Sequence, residues 1–184
     1  AKELGIAVIV TDHHLPGEVL PPADAVVDPH RADCPSEFKE ICGAEVVFRL
    51  ICVAEGAEPE ELLSEYADIL SVAVTADVMP LKGENRSIVK DGIKKLKSAP
   101  SAGLSAIMNV AGIKCGDMNA SRIAFGIAPR INAAGRLGNA DIAFRLLTTD
   151  NESEALKLAK RIDELNTERR ETENEIFEKA AEII

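Results

Sequence analysis

Asp12-His13-His14 sets one carboxylate and two imidazoles in three consecutive residues of a chain that has only three histidines. Neutral imidazole and carboxylate together bind borderline and hard divalent metals such as Zn, Mn and Fe. A carboxylate beside a ligating histidine also takes up its second ring N–H and fixes the tautomer. The triplet follows Ile6-Ala7-Val8-Ile9-Val10 and precedes Leu15-Pro16-Gly17. A short apolar run rich in β-branched residues and stopped by a Pro-Gly turn reads as a buried strand. In an open α/β sheet, ligands sit outside the carboxyl ends of the strands. Neighbouring side chains on a strand point to opposite faces, but past its end both can turn toward one centre. The bland alternative is a pair of histidines that end a strand and meet water. Three metal-type ligands directly after a buried strand favour a site.

A second acid of interest closes the apolar segment Tyr66-Ala67-Asp68-Ile69-Leu70-Ser71-Val72-Ala73-Val74-Thr75-Ala76-Asp77. Period alone does not separate helix from strand here; length and the alanines favour a buried helix. An acid at the end of a buried segment needs a partner, a proton or a metal. Asp77 is far from His14 in sequence, so any meeting is tertiary, and a simple capping role for Asp77 stays open. Ala25-Val26-Val27-Asp28 reads as another short strand, with His30 just beyond it, either near the site or in a solvent-facing loop.

The elements that must position these groups are mostly helices. Prolines at 16, 21, 22, 29 and 35 forbid a long helix before residue 40. Gly43 to Val53 reads as a largely buried helix with Gly56 as its stop, its small first residues allowing close packing on the sheet. Pro59-Glu60-Glu61 opens another helix. Lys82 to Arg86 reads as a polar turn, followed by a helix to about Lys97 with Ile88, Val89, Ile93 and Leu96 as its stripe. A short helix holds Leu104, Ile107, Met108 and Val110 and stops at Gly112. Asn119 or Ser121 caps a helix through Ile123, Ala124 and Phe125. Gly126 to Ala140 carries three Gly, two Arg and two Asn among small residues. From the residues alone it is either a connection between helices or an anion site, since Arg forks bind phosphate oxygens and Gly admits close backbone approach. Asp141 to Leu147 is a short helix. Thr149-Asp150 caps a last helix that runs to the end, with Leu156, Ala159, Ile162, Leu165, Ile176 and Ala180 as a partial stripe and an almost wholly polar middle.

The charge is uneven. The net charge is −10. Residues 1–80 hold 4 Lys/Arg against 16 Asp/Glu, residues 81–150 hold 11 against 5, and residues 151–184 hold 6 against 10. The acidic part carries the candidate metal ligands. The basic part either faces a phosphate backbone or, for Lys90, Lys94, Lys95 and Lys97, is one solvated helix face. No Trp and one Tyr leave an aliphatic core. No apolar run reaches the length of a membrane span and no leader pattern opens the chain. Four cysteines without C-x-x-C or zinc-like spacing suggest free thiols in a reducing, cytoplasmic setting. Ala1 to Gly5 reads as the last turn of a helix, as expected of a piece of something longer.

Val10-Thr11-Asp12-His13-His14 resembles the signature of the DHH phosphoesterase superfamily. Thr75-Ala76-Asp77-Val78-Met79-Pro80-Leu81 and Ala128-Pro129-Arg130-Ile131-Asn132-Ala133-Ala134-Gly135-Arg136 resemble its RecJ branch of single-strand-specific exonucleases, rather than the family II pyrophosphatases or the small-oligonucleotide phosphoesterases. The resemblance implies an α/β fold: residues 1–150 as the C-terminal portion of a DHH catalytic domain, with a short parallel sheet flanked by helices, and residues 151–184 as an interdomain linker helix. It implies 5′ to 3′ hydrolysis of single-stranded DNA with Mn2+ or Mg2+, in repair and recombination, with a single-strand-binding protein or a helicase as partner and no membrane. His13 and Asp77 would hold the metal. Asp12 would orient His13 or join the coordination, and His14 would face the scissile phosphate. Arg130, Asn132 and Arg136 would hold the DNA phosphates. The superfamily also has an Asp-x-Asp pair and a further Asp upstream, whereas the eleven residues before Asp12 contain no Asp. The 184 residues are therefore expected to hold about half of the metal ligands and to be inactive, or weak in metal binding, on their own. Short-nucleotide phosphoesterases and non-catalytic scaffolds of the same fold are the competing classes.

Overall fold

Helix α2 (Pro59–Ala76) is the element on which the others are assembled. The computed structural model describes residues 1–137 and 140–183. Leu70 and Val74 of α2 belong to one hydrophobic cluster, and Val72, on its opposite side, to another. A helix that is apolar nearly all round is a buried one, and two cores facing α2 are the reason its sequence shows no clean period. The stretches 59–63 and 66–77, which read as two elements, form this single helix. Pro59 lies in its first turn and the Glu61 carboxylate accepts from the Glu58 N–H at 2.9 Å.

Before α2 come two strands, β1 (Ile9–Thr11) and β2 (Ala25–Val27), and helix α1 (Gly43–Glu55). The strands pair in parallel with Thr11 opposite Val27, and the Asp12 N–H extends the ladder to the Val27 carbonyl at 2.9 Å. This register sets Asp12 and Asp28 side by side at the carboxyl edge. Phe48 and Cys52 of α1 pack with Leu70 and Val74 of α2 and with Ile88 and Val89 of α3 (Gly83–Ser98). Helix α3 starts earlier than its polar first turn suggested. Its Gly92 lets the backbones of α2 and α3 approach: a Cβ there would lie 2.3 Å from the Ala67 carbonyl oxygen.

The second core lies among α4 (Ala102–Val110), α6 (Ala128–Arg136), α7 (Ala140–Thr148) and α8 (Glu152–Ala181). A short α5 (Ala120–Arg122), capped by the Asn119 side chain, runs through a π turn (Ile123–Ile127) straight into α6. The glycine-rich stretch is therefore helical up to Arg136; Gly138 and Asn139, its continuation, lie outside the described residues, as does Ile184. Pro129 brings no N–H to the ladder and crowds the carbonyl one turn back, which the wide turn before it accommodates. The N-cap of α8 is Asn151, whose side chain accepts from the Glu154 N–H, while Thr149 Oγ1 accepts from the Asn151 N–H. The expected stripe of α8 splits. Ala155, Ala159, Ile162 and Leu165 are buried, whereas Ile176 and Phe177 are exposed. Among the described residues no helix is long and apolar enough to cross a membrane.

One buried carboxylate ties three helices together. Asp68 of α2 meets Lys95 Nζ of α3 at 3.1 Å and accepts from the Ser101 N–H, at the start of α4, at 3.1 Å. Lys95 is thus a structural cation, not part of a solvated lysine face. Removing one partner of such a pair strands the other, so Asp68→Ala should lower unfolding free energy by about 3 kcal/mol. The exposed Lys94–Asp91 pair is the control, and Lys94→Ala should cost no more than about 0.5 kcal/mol. Urea unfolding of the two variants separates these outcomes.

Candidate metal centre

The end of β1 and the end of α2 converge. His13 Nε2 stands 3.5 Å from Asp77 Oδ2. The His13 side chain is largely buried against the first turn of α1, where a Cβ on Gly43 would stand 3.2 Å from His13 Cδ2. The small start of α1, expected to pack on the sheet, makes room for the imidazole itself.

Asp12 turns back on its own neighbours. Its Oδ1 accepts from the His13 N–H at 2.7 Å, the His14 N–H at 3.1 Å and His14 Nδ1 at 2.7 Å. The carboxylate therefore orients His14, where the sequence reading had it orienting His13. With Nδ1 engaged as donor, the neutral His14 ring carries its lone pair on Nε2. The two imidazoles lie with centroids 4.4 Å apart, tilted by 43°. One ligand atom from each of Asp12, His13 and His14 falls within 4.8 Å of the others. Asp77 approaches this group from the His13 side.

The three hydrogen bonds have an electrostatic consequence. The bond from His14, then the two backbone N–H groups, hold the Asp12 carboxyl at about 2. The same contact with Asp12 raises the His14 pKa, with smaller contributions from the charges of Asp77 and Asp28.

Asp77 is presented by a Schellman-type helix end. It is the C-cap of α2; the Val78 N–H donates to Thr75 and the Met79 N–H to Val74, at 3.2 and 3.1 Å. Val78 occupies the left-handed position that glycine normally fills, with φ 56°. A β-branched residue is disfavoured there. The expected capping role is real, but it concerns the end of α2 rather than the start of the next helix. Below this turn Asn85, fully buried, donates from Nδ2 to the carbonyls of Pro80 and Glu40 at 3.1 and 2.7 Å.

Asn85 and Asp28 were not anticipated as site-building residues. Asn85 gave no signal, since a polar residue in a polar stretch looks like any turn residue. Asp28 did give one: Val26-Val27-Asp28-Pro29-His30 repeats the run-then-acid-then-histidine pattern of β1. Asp28 is buried and accepts from the His30 N–H at 2.7 Å. His30 faces Asp28, its Nδ1 3.8 Å from the carboxylate.

The remaining candidates lie apart from the histidines. Arg130 donates from Nε to Asp163 of α8 and from Nη1 to the Gly126 carbonyl, both at 2.7 Å. Its guanidinium thus fastens α6 to α8 and fills the π turn, which corrects the expectation of an open phosphate fork. Asn132 and Arg136 share one exposed face of α6 and hydrogen-bond to neither the histidines nor Asp77.

Two measurements check this geometry. The Asp12–His14 pair contributes fully between about pH 3.8 and 6.5, the ordinary values of the two groups. It is lost as pH falls toward the depressed carboxyl value or rises through the raised imidazole value. NMR titration should place His14 above 6.5, and Asp12→Asn should lower it; an unchanged midpoint would contradict the bond. Relief of the left-handed strain predicts that Val78→Gly stabilises the fold by about 1 kcal/mol in thermal unfolding.

Comparison with known proteins follows this geometry. Residues 1–74 match the model of the DHH family, N-terminal domain. The chain is 39% identical over 184 residues to the single-stranded-DNA-specific exonuclease RecJ of Bacillus subtilis, covering 100% of this chain and 23% of that protein. It superposes on RecJ of Thermus thermophilus in complex with Mn2+ with a TM-score of 0.82 and 40% identity, covering 96% of this chain and 26% of that one. The Mg2+ complex from the same organism gives a TM-score of 0.77 at 38% identity, covering 95% and 26%. The chain thus spans about a quarter of the length of these relatives. An Asp-His-His at the end of β1, inside the matched family region, and likeness to RecJ along the rest of the chain lead to one assignment: the chain belongs to the DHH family, in its RecJ branch.

Proposed function

We propose that this chain is part of the catalytic core of a metal-dependent exonuclease that removes nucleotides from single-stranded DNA in the 5′ to 3′ direction, in repair and recombination. The observation that carries the reading is the 3.5 Å approach of His13 Nε2 to Asp77 Oδ2, in a chain so similar to RecJ exonucleases. Two donors at that spacing fit one divalent cation. The mixed nitrogen and oxygen set suits Mn2+, and the two Thermus structures contain Mn2+ and Mg2+. Six-coordinate ions of this kind need more donors than these. We therefore propose that carboxylates from outside the 184 residues complete the set, and that the chain alone binds metal weakly and is inactive.

His13 and Asp77 would hold the ion, and Gly43 leaves the imidazole its space. When bound, the ion polarises a phosphoryl oxygen and lowers the pKa of an attacking water from about 16 toward 7. Asp12 fixes the His14 ring through Nδ1, so that Nε2 faces the phosphate; in its protonated form it donates to a non-bridging oxygen. Asn132 and Arg136, exposed on α6, would contact phosphates further along the strand. An enzyme of this specificity needs its substrate unpaired, so a single-strand-binding protein or a helicase belongs to the proposal as partner. Four free thiols suit a cytoplasmic location.

Mn2+ titration followed by EPR tests the donor assignment. His13→Ala and Asp77→Asn should each weaken binding at least about tenfold, whereas Asn132→Ala should leave it unchanged. Equal binding by all three variants refutes the assignment. In a polypeptide that includes the regions flanking this chain in its relatives, a long 5′-phosphorylated single strand should be shortened faster than a dinucleotide. The opposite preference would make this a phosphoesterase of short oligonucleotides.

A further inference from the structure

We propose that Phe125 is a base-stacking platform for single-stranded DNA, set in a cleft beside the metal centre; the inference rests on the nuclease reading above. The cleft, about 490 Å³, is bordered by Asn119, Ser121, Arg122, Phe125, Gly126 and Arg130. Phe125 is 82% exposed. It lies in the middle of the π turn Ile123–Ile127, whose flanking residues Ile123 and Ile127 are fully buried. An aromatic ring held out by a turn anchored on both sides is rigidly presented, and π turns recur at functional positions.

The ring's neighbours suit a nucleotide better than an apolar partner. Arg122 precedes Phe125 by three residues and makes no ion pair among the described residues. Asn119 is already engaged through its Oδ1 to the Arg122 N–H at 3.0 Å, which fixes the start of the cleft. Residues 111–137 carry Lys114, Arg122, Arg130 and Arg136 against the single acid Asp117, in a chain of net charge −10. Aromatic rings flanked by guanidinium groups are the usual means of holding single strands without reading sequence, since every base has a π-face.

The position is also right. The π turn packs along α2, the helix that ends in Asp77. Ala120, at the start of α5, packs against the same hydrophobic cluster as Ala73 and Met79, which lie on either side of Asp77 in sequence. A strand whose scissile phosphate sits at His13 and Asp77 would thus have a neighbouring base within reach of this cleft. Arg130, bound to Asp163, lines the cleft as a fixed wall.

The chain has no Trp, so Phe125→Trp introduces a single indole reporter at the site. With metal withheld to prevent hydrolysis, its fluorescence should be quenched on titration with oligo(dT) of about 12 nucleotides. An abasic strand of the same length should leave it unquenched. Phe125→Ala should weaken oligo(dT) binding about 5- to 100-fold, and Phe125→Tyr should restore it. Circular dichroism of Phe125→Ala should match the parent, because the ring is exposed. Wild-type affinity in Phe125→Ala, or equal quenching by the abasic strand, overturns the platform. If that happens while Asp77→Asn still loses Mn2+, the metal-centre reading stands and only the platform falls. Absence of single-strand binding by the unmodified chain at low salt overturns the platform directly, and the Mn2+ titration then decides the metal-centre reading by itself.

Discussion

The approach of His13 to Asp77 is the constraint on which the site depends. Neither residue can be placed without the other's element. His13 is fixed by the last rung of a two-strand ladder and by the missing Cβ of Gly43. Asp77 is fixed by the length of α2 and by a left-handed residue immediately after it. Helix α2 is in turn held by a core on each side and by Asp68, which bonds to α3 and to the start of α4. Packing far from the metal ligands therefore determines the distance between them. Small helix shifts at such a junction would change ligand geometry by amounts that matter to a coordinated ion.

Electrostatics and fold work together at the strand edge. The parallel register sets Asp12 and Asp28 beside each other, and Asp77 arrives from α2. Several carboxylates in one small volume repel unless protons, cations or hydrogen bonds intervene. Asp12 is stabilised by three N–H contacts, two of them from the backbone. Asp28 is stabilised by the His30 N–H. Asp77, more exposed than His13, lacks a comparable set of donors and is the carboxylate most available to a cation.

Much of this was legible in the sequence, for physical reasons that can be named. Ile9 to Thr11 and Ala25 to Val27 are β-branched or small runs closed by acid and proline, so their strand ends could be read. The helix beginning at Gly43, and the buried character of 66–77, follow from composition. The glycine-rich stretch misled because Gly, Pro and Asn favour turns in isolation. Here Ala133 and Ala134 are fully buried against α8, and tertiary cover overrides local preference. The engagement of Arg130 with Asp163 and the buried Asn85 are contacts between distant segments, so no local pattern encodes them. The Asp12–His14 bond was half legible: the pairing of a carboxylate with an imidazole was expected, but the partner was set by the turn after the strand.

The divided character of α8 has a mechanical meaning. Its first half is embedded in the helical core and is fastened to α6 by Arg130 and Asp163, whereas the half beyond Asn166 stands largely in water. At about 1.5 Å per residue the free half is a rod of roughly 20 Å. A rod clamped at one end transmits torque to its clamp. Any load on the outer half reaches Asp163 first, then the guanidinium that braces the π turn, and so the ring of Phe125. Motion imposed at a distance would be felt at the cleft wall before it was felt at the strand ends.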